Sequence, residues 1–171
     1  EYYLKNGQED FKDFKVLAIF SASNVVISTA SKPVLTVEGF KGLKLRSPSR
    51  FSSLFLQSLG ATPVNLPVAA ITESISKGVI DGAMAPWEIL PTTKVDEVTK
   101  YHMEGLQNQP GFTQTPMAIL MNKQKYESLP ADVKAAIDKN SGKVLSELAG
   151  SVWDQGNEAA RKKRSEERRV G

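Results

Sequence analysis

Between residues 43 and 85 the chain alternates short apolar runs with stretches of helical period, and glycine or proline marks each change. Residues 43–47 (LKLRS) alternate apolar and charged side chains, as a half-buried strand does, and Pro48 ends them. Ser49 is placed to cap a helix over residues 50–59, whose Phe51, Leu54, Phe55 and Leu59 recur at the spacing of one helical face. Gly60 then fits the position after a helix where a left-handed backbone is needed. Residues 61–66 read as a strand. Residues 69–77 read as a second helix, with Ile71 and Ile75 one turn apart and Gly78 as its stop. Residues 79–85 (VIDGAMA) form a further strand, bent at Asp81 and Gly82. Strand, helix, strand, helix, strand in this order predicts an α/β fold with a largely parallel sheet.

The flanks are less regular. Residues 14–20 (FKVLAIF) predict a buried strand, and 21–34 a loop with room for one short strand. Residues 36–41 read as a polar turn, 95–101 as a helix, 108–116 as a loop with two prolines, and 117–121 as a buried strand. A long helical stretch follows from Ala131, with an apolar stripe of Val133, Ile137, Val144, Leu145, Leu148 and Val152. Gly142, Gly150 and Gly156 weaken it by about 1 kcal/mol each relative to alanine and mark places for it to break.

Composition narrows the chemistry. Cysteine is absent, which excludes disulfide frameworks, zinc–thiolate sites and cysteine nucleophiles, and His102 is the single histidine. No apolar run approaches the ~18 residues of a membrane span. The net charge of +3 resides in the last 14 residues; the rest of the chain holds 16 basic and 16 acidic side chains. The body therefore has no basic excess with which to grip a nucleic acid. Residues 164–171 (RSEERRVG) read as one translated frame of a short-read sequencing adaptor, with a solvated helix end or a basic binding extension as the alternatives.

Arg46 stands out among the candidate functional residues. It lies at the end of a predicted strand just before Pro48, and α/β sheets bind ligands beyond the carboxyl ends of their strands. A guanidinium there can take a carboxylate through two parallel hydrogen bonds. The alternative is a surface arginine on an amphipathic strand. Trp87 follows a strand and Pro86, placed either to line a cleft or to fill a core, and Glu88 either orients a ligand or opens a helix. Asp81 reads as a turn residue and His102 as a helix-end group, with no second acid or base spaced to make either one a catalyst. No glycine-rich phosphate loop is present.

Five segments carry a family likeness: residues 40–48 (FKGLKLRSP), 59–67 (LGATPVNLP), 75–86 (ISKGVIDGAMAP), 97–101 (EVTKY) and 118–130 (AILMNKQKYESLP). In this order and spacing they resemble the solute-binding subunit of tripartite ATP-independent periplasmic (TRAP) transporters, over about residues 14–157. The resemblance implies a two-lobed α/β periplasmic-binding-protein fold, type II-like, of which this chain is an N-terminally truncated fragment. Residues 14–106 would be the second lobe, 107–143 a returning part of the first, 144–163 the C-terminal helix, and 164–171 foreign.

It further implies a non-enzymatic protein without metal or cofactor. Such a protein holds a small carboxylate in the periplasm and delivers it to membrane permease subunits; it neither spans the membrane nor binds nucleic acid. Arg46 occupies the family's carboxylate-gripping position, and the implied ligand set is Arg46, Trp87, Ala85, Glu88, Asn24 and Val68. Ala85 stands where the family often has an asparagine that reaches the ligand. Ser21, Asn24 and Ser28 lie where sialic-acid binders carry a second arginine. These departures speak against sialic acid, and a tryptophan at the cleft points to a flatter or more apolar acid. The competing readings are the effector-sensing domain of a transcription regulator and an enzyme on a related two-lobed fold.

Overall fold

The structure, a computed structural model, describes residues 7, 9–22, 24–105, 111–113 and 115–170, the last six in backbone only. The chain divides into two compact units, residues 1–22 with 115–154 and residues 23–114 with 155–171.

The second of these units is built on a five-stranded sheet. Its strands are β2 (Val25–Thr29), β3 (Lys44–Ser47), β4 (Thr62–Asn65), β5 (Gly82–Pro86) and β6 (Tyr101–Met103), in the order β4-β3-β5-β2-β6. β3 pairs in parallel with β4 and β5, as the strand–helix–strand reading requires. β2 is antiparallel to both β5 and β6, so the sheet is mixed rather than largely parallel. The crossover rule acts only where a helix joins two strands, and β2 is entered without one.

β2 is the one short strand for which residues 21–34 left room. All five of its residues are buried, because it lies between β5 and β6 and is covered on both faces. Its two polar residues are satisfied: Ser28 Oγ bonds His102 Nδ1 at 2.9 Å and Thr29 Oγ1 donates to the Lys32 carbonyl.

The two faces of the sheet are read off β5 by alternation. Met84 packs with Val25, Ile27, Leu45 and Leu56, the last from helix α1 (Arg50–Ser58). Ala83 and Ala85 face the other way, onto Ile71 and Ile75 of α2 (Ile71–Ser76), Leu90 of α3 (Ile89–Thr92) and Val95 of α4 (Val95–Val98). Gly82 lets β5 close on β2, since a Cβ there would lie 2.1 Å from the Ser28 carbonyl oxygen.

Ser49 caps α1 as expected, accepting from Ser52 N–H at 3.2 Å, and Gly60 (φ +85°) and Gly78 (φ +69°) are left-handed. The buried face of α1 differs from the predicted one. Phe51 and Leu54 are 66 % and 57 % exposed, while Ser52 and Leu56 turn inward with Phe55 and Leu59 beside them. Two overlapping stripes share Phe55 and Leu59, and the inward Ser52 hydroxyl is hydrogen-bonded with that of Ser49 at 3.0 Å. The predicted helix over 95–101 is cut to α4: Thr99 Oγ1 bonds back to the Val95 carbonyl, and Lys100 N–H bonds Thr29 O, drawing the chain onto the edge of β2.

In the other unit β1 (Phe14–Ser21) pairs antiparallel with β7 (Pro116–Asn122), but neither is the buried strand expected: Ala18 is the one buried residue of β1 and β7 has none, because the two strands form a sheet by themselves. α5 (Lys123–Glu127), α6 (Ala131–Lys139) and the first part of α7 (Lys143–Val170) follow. That pairing groups residues 14–22 with 115–154, unlike the expected division at 106–107; residues 107–110 lie outside the described residues. The helical stretch breaks at Gly142 (φ +68°), whose N–H bonds Leu17 O, and runs unbroken through Gly150 and Gly156. Val144, Leu148 and Val152 are more than half exposed. Residues 164–170 continue α7, and Arg164 Nη2 donates to Thr99 O at 3.2 Å.

Candidate functional site

β3, β4, β5 and β6 run in one direction, and β2 runs against them. Four carboxyl ends and the start of β2 therefore meet at one end of the sheet, where a strand-to-helix crevice forms in α/β folds. All six expected site residues belong to this end: Asn24 before β2, Arg46 on β3, Val68 after β4, Ala85 on β5, and Trp87 and Glu88 just beyond it.

Arg46 is 6 % exposed. Its Nε donates to Leu66 O at 3.1 Å and its Nη1 to Met84 O at 3.0 Å. Burial pushes its guanidinium below the ordinary arginine range, and an arginine stays charged nonetheless. Among the described residues no carboxylate forms an ion pair with it. A buried cation whose partners are two neutral carbonyls is still short of an anion. Chemically, this arrangement can hold a carboxylate.

The other five residues are differently placed. Trp87 has the burial of a core residue, packed with Val26, Ala83 and Leu90. Its Nε1 donates to Glu104 Oε2 at 2.9 Å, and its ring lies 5.2 Å from that of His102. It faces the same side of the sheet as Arg46, since Arg46 is paired with Ala83 and Trp87 continues the Ala83–Ala85 alternation; no hydrogen bond joins the two. Ala85 is fully buried against Val26 and offers only a methyl group. Glu88 opens α3 without a side-chain cap bond. Val68 is 38 % exposed, two residues beyond the Leu66 carbonyl that holds Arg46. Asn24 is exposed and packs on Gly111, where a Cβ would lie 2.6 Å from its Oδ1.

Asp81, just before β5, ties its start to β3: its Oδ2 accepts from Lys44 N–H at 2.7 Å and its N–H donates to Lys44 O at 2.8 Å. His102 lies in β6, not at a helix end, bonded to Ser28. Three contributions escaped the sequence. Glu104 and Arg161 carry no local signature, and the carbonyls of Leu66 and Met84 exist at every residue and acquire a role only through proximity. Among the described residues no cluster of three or more His, Asp or Glu is arranged to hold a metal, and no helix is long and apolar enough to cross a membrane.

Residues 5–170 match the family described as bacterial extracellular solute-binding protein, family 7. The C4-dicarboxylate-binding periplasmic protein of Rhodobacter capsulatus is 28 % identical over 135 residues, 78 % of this chain and 39 % of that protein. A TRAP solute-binding protein from a marine metagenome, specific for aromatic acids and solved with metahydroxyphenylacetate, is 43 % identical. It superposes with a TM-score of 0.90 over 94 % of this chain and 50 % of its own. A TRAP solute-binding protein from Rhodoferax ferrireducens, solved with copurified benzoate, is 38 % identical with a TM-score of 0.90 and the same coverage. The chain thus spans about half the length, or less, of the proteins it matches.

Proposed function

Since this chain belongs to the bacterial extracellular solute-binding proteins of family 7, we propose that Arg46 holds the carboxylate of a small aromatic acid at the carboxyl end of the five-stranded sheet. The unit of residues 23–114 is, on this reading, the lobe that carries the anchor. The acid is captured in the periplasm and passed to a TRAP-type membrane permease.

The observation that carries the proposal is the buried guanidinium of Arg46, hydrogen-bonded to Leu66 O and Met84 O and facing no protein carboxylate among the described residues. One further point supports an aromatic acid: the relatives at 43 % and 38 % identity hold metahydroxyphenylacetate and benzoate.

On this reading the protein acts by binding, and its single histidine is bonded to the buried Ser28. Calorimetric titration with benzoate, 3-hydroxybenzoate, succinate and galacturonate tests the proposal. The aromatic acids are expected to bind tightest. Tighter binding of succinate or galacturonate overturns the aromatic assignment, and no binding of any carboxylate overturns the role of Arg46.

A further inference from the structure

Glu104 is half-exposed, and each of its carboxylate oxygens has a separate donor. Oε2 accepts from Trp87 Nε1 at 2.9 Å, and Oε1 accepts from Arg161 Nη2 at 2.6 Å. We infer that Glu104 is a positioning residue for the solute site: its carboxylate, shared between Trp87 and Arg161, fixes the indole that closes the ligand end of β5. The inference rests on the solute-binding reading above.

Three observations lead to it. First, Trp87 is a buried donor at the end of the strand that steadies Arg46. The Met84 carbonyl that accepts from Arg46 lies three residues before it, and Pro86, whose ring fixes φ, stands between.

Second, the indole N–H has Glu104 as its partner. Without it a buried donor is left unsatisfied, which drives the ring to a new orientation. The ring also lies beside His102, tilted at 44° with the centroids 5.2 Å apart.

Third, α7 is laid against the same turn. A Cβ at Gly156 would meet Glu88 Cβ at 3.5 Å, Ala160 packs on the core that holds Trp87, and Arg161 reaches Glu104. Gly156 and Ala160, one turn apart, share a face of the helix, and Arg161 reaches Glu104 from beside that face, so the helix, Glu104 and the turn are held together. Preorganisation of this kind raises affinity without any contact to the ligand.

The test uses the chain with Trp153→Phe, which leaves Trp87 as the single tryptophan reporter. Acrylamide quenching and benzoate titration are then measured for Glu104→Ala, Glu104→Gln and Arg161→Gln, with circular dichroism to confirm folding. In Glu104→Ala the quenching constant of Trp87 is expected to rise at least about twofold and benzoate affinity to fall about 3- to 10-fold. Glu104→Gln keeps an oxygen for the indole N–H and should restore most of both. Arg161→Gln removes only the α7 partner and should show both changes in weaker form, which keeps the test decisive should Glu104→Ala fail to fold.

Unchanged quenching in the folded variants overturns the inference. So does quenching that rises while benzoate affinity stays at the parent value. If the Trp153→Phe parent binds no carboxylate, the solute-binding reading itself fails. The quenching arm then still reports whether Glu104 holds Trp87.

Discussion

Nη1 of Arg46 donates to the carbonyl oxygen of Met84 at 3.0 Å, so the guanidinium at the end of β3 is tied to the neighbouring strand β5. Its Nε makes a second tie, to Leu66 O beyond β4. Three adjacent strands thus meet at one cation. The side chain is ordered before any ligand arrives, and binding need not supply that order.

Arg46→Ala should weaken binding of the best aromatic acid by about 2–5 kcal/mol, or about 30- to several-thousand-fold. It should also lower stability, because the carbonyls of Leu66 and Met84 lose a charged donor, at about 1–3 kcal/mol for each left unsatisfied. Arg46→Lys keeps the charge without the planar fork, so affinity should still fall. Arg50→Ala, at the exposed start of α1, is the control. Calorimetry and urea unfolding of the three variants read both effects; wild-type affinity in a folded Arg46→Ala would remove this residue from the site.

Gly82→Ala should be far more damaging than Gly78→Ala. A methyl group at 82 meets backbone, 2.1 Å from Ser28 O, so β5 must move away from β2 at a cost of about 3 kcal/mol or more. At 78 the space is open and only the left-handed backbone (φ +69°) is strained, at about 1–2 kcal/mol. Urea midpoints measure the order; equal losses would mean that the sheet yields at Gly82.

Ser49→Ala removes the acceptor for Ser52 N–H at the start of α1 and should cost about 1 kcal/mol, while Ser49→Asp should retain most of it. Chemical denaturation of both variants gives the comparison. A neutral alanine variant would show that the first turn is held by its tertiary contacts alone.

In the other unit Lys15 Nζ lies 2.6 Å from Asp138 Oδ1, and the Tyr126 hydroxyl donates to the same carboxylate at 2.7 Å. The hydrogen bond from Lys15, then that from Tyr126, holds the Asp138 carboxyl below its usual range, and the bond to Asp138 raises Lys15 and Tyr126. A lowered acid contributes stability above its unfolded value of about 3.9 and loses it as pH falls through the folded one; the raised lysine and phenol lose theirs as pH rises through their folded values. Asp138→Asn should therefore lower the melting temperature by a few degrees at most, and about equally from pH 5 to pH 9. The difference should close under strong acid. A difference that grows toward acid pH would contradict the assignment.

Local rules were enough wherever neighbours in sequence supply the physics. The cap at Ser49, the left-handed Gly60 and Gly78, the Ile71 and Ile75 pair, and the strands around 44–47, 62–65 and 116–122 were all legible in this way. Arg46 was legible too, because its place at a strand end before Pro48 is a local fact.

The tertiary structure alone decided what depends on partners far along the chain. Residues 21–34 left room for one short strand, but its place as a buried inner strand is set by β5 and β6, some 55 and 75 residues later. Phe51 and Leu54 look like core until Ser52 is turned inward instead. Trp87 was ambiguous between cleft and core because its nearest polar partner, Glu104, is itself set by Arg161, 57 residues further on. The physical reason is common to all three. Caps, backbone signs and periodicity are properties of a few adjacent residues, whereas burial and hydrogen-bond satisfaction are properties of whatever surface finally closes over a side chain, and no local pattern encodes which surface that is.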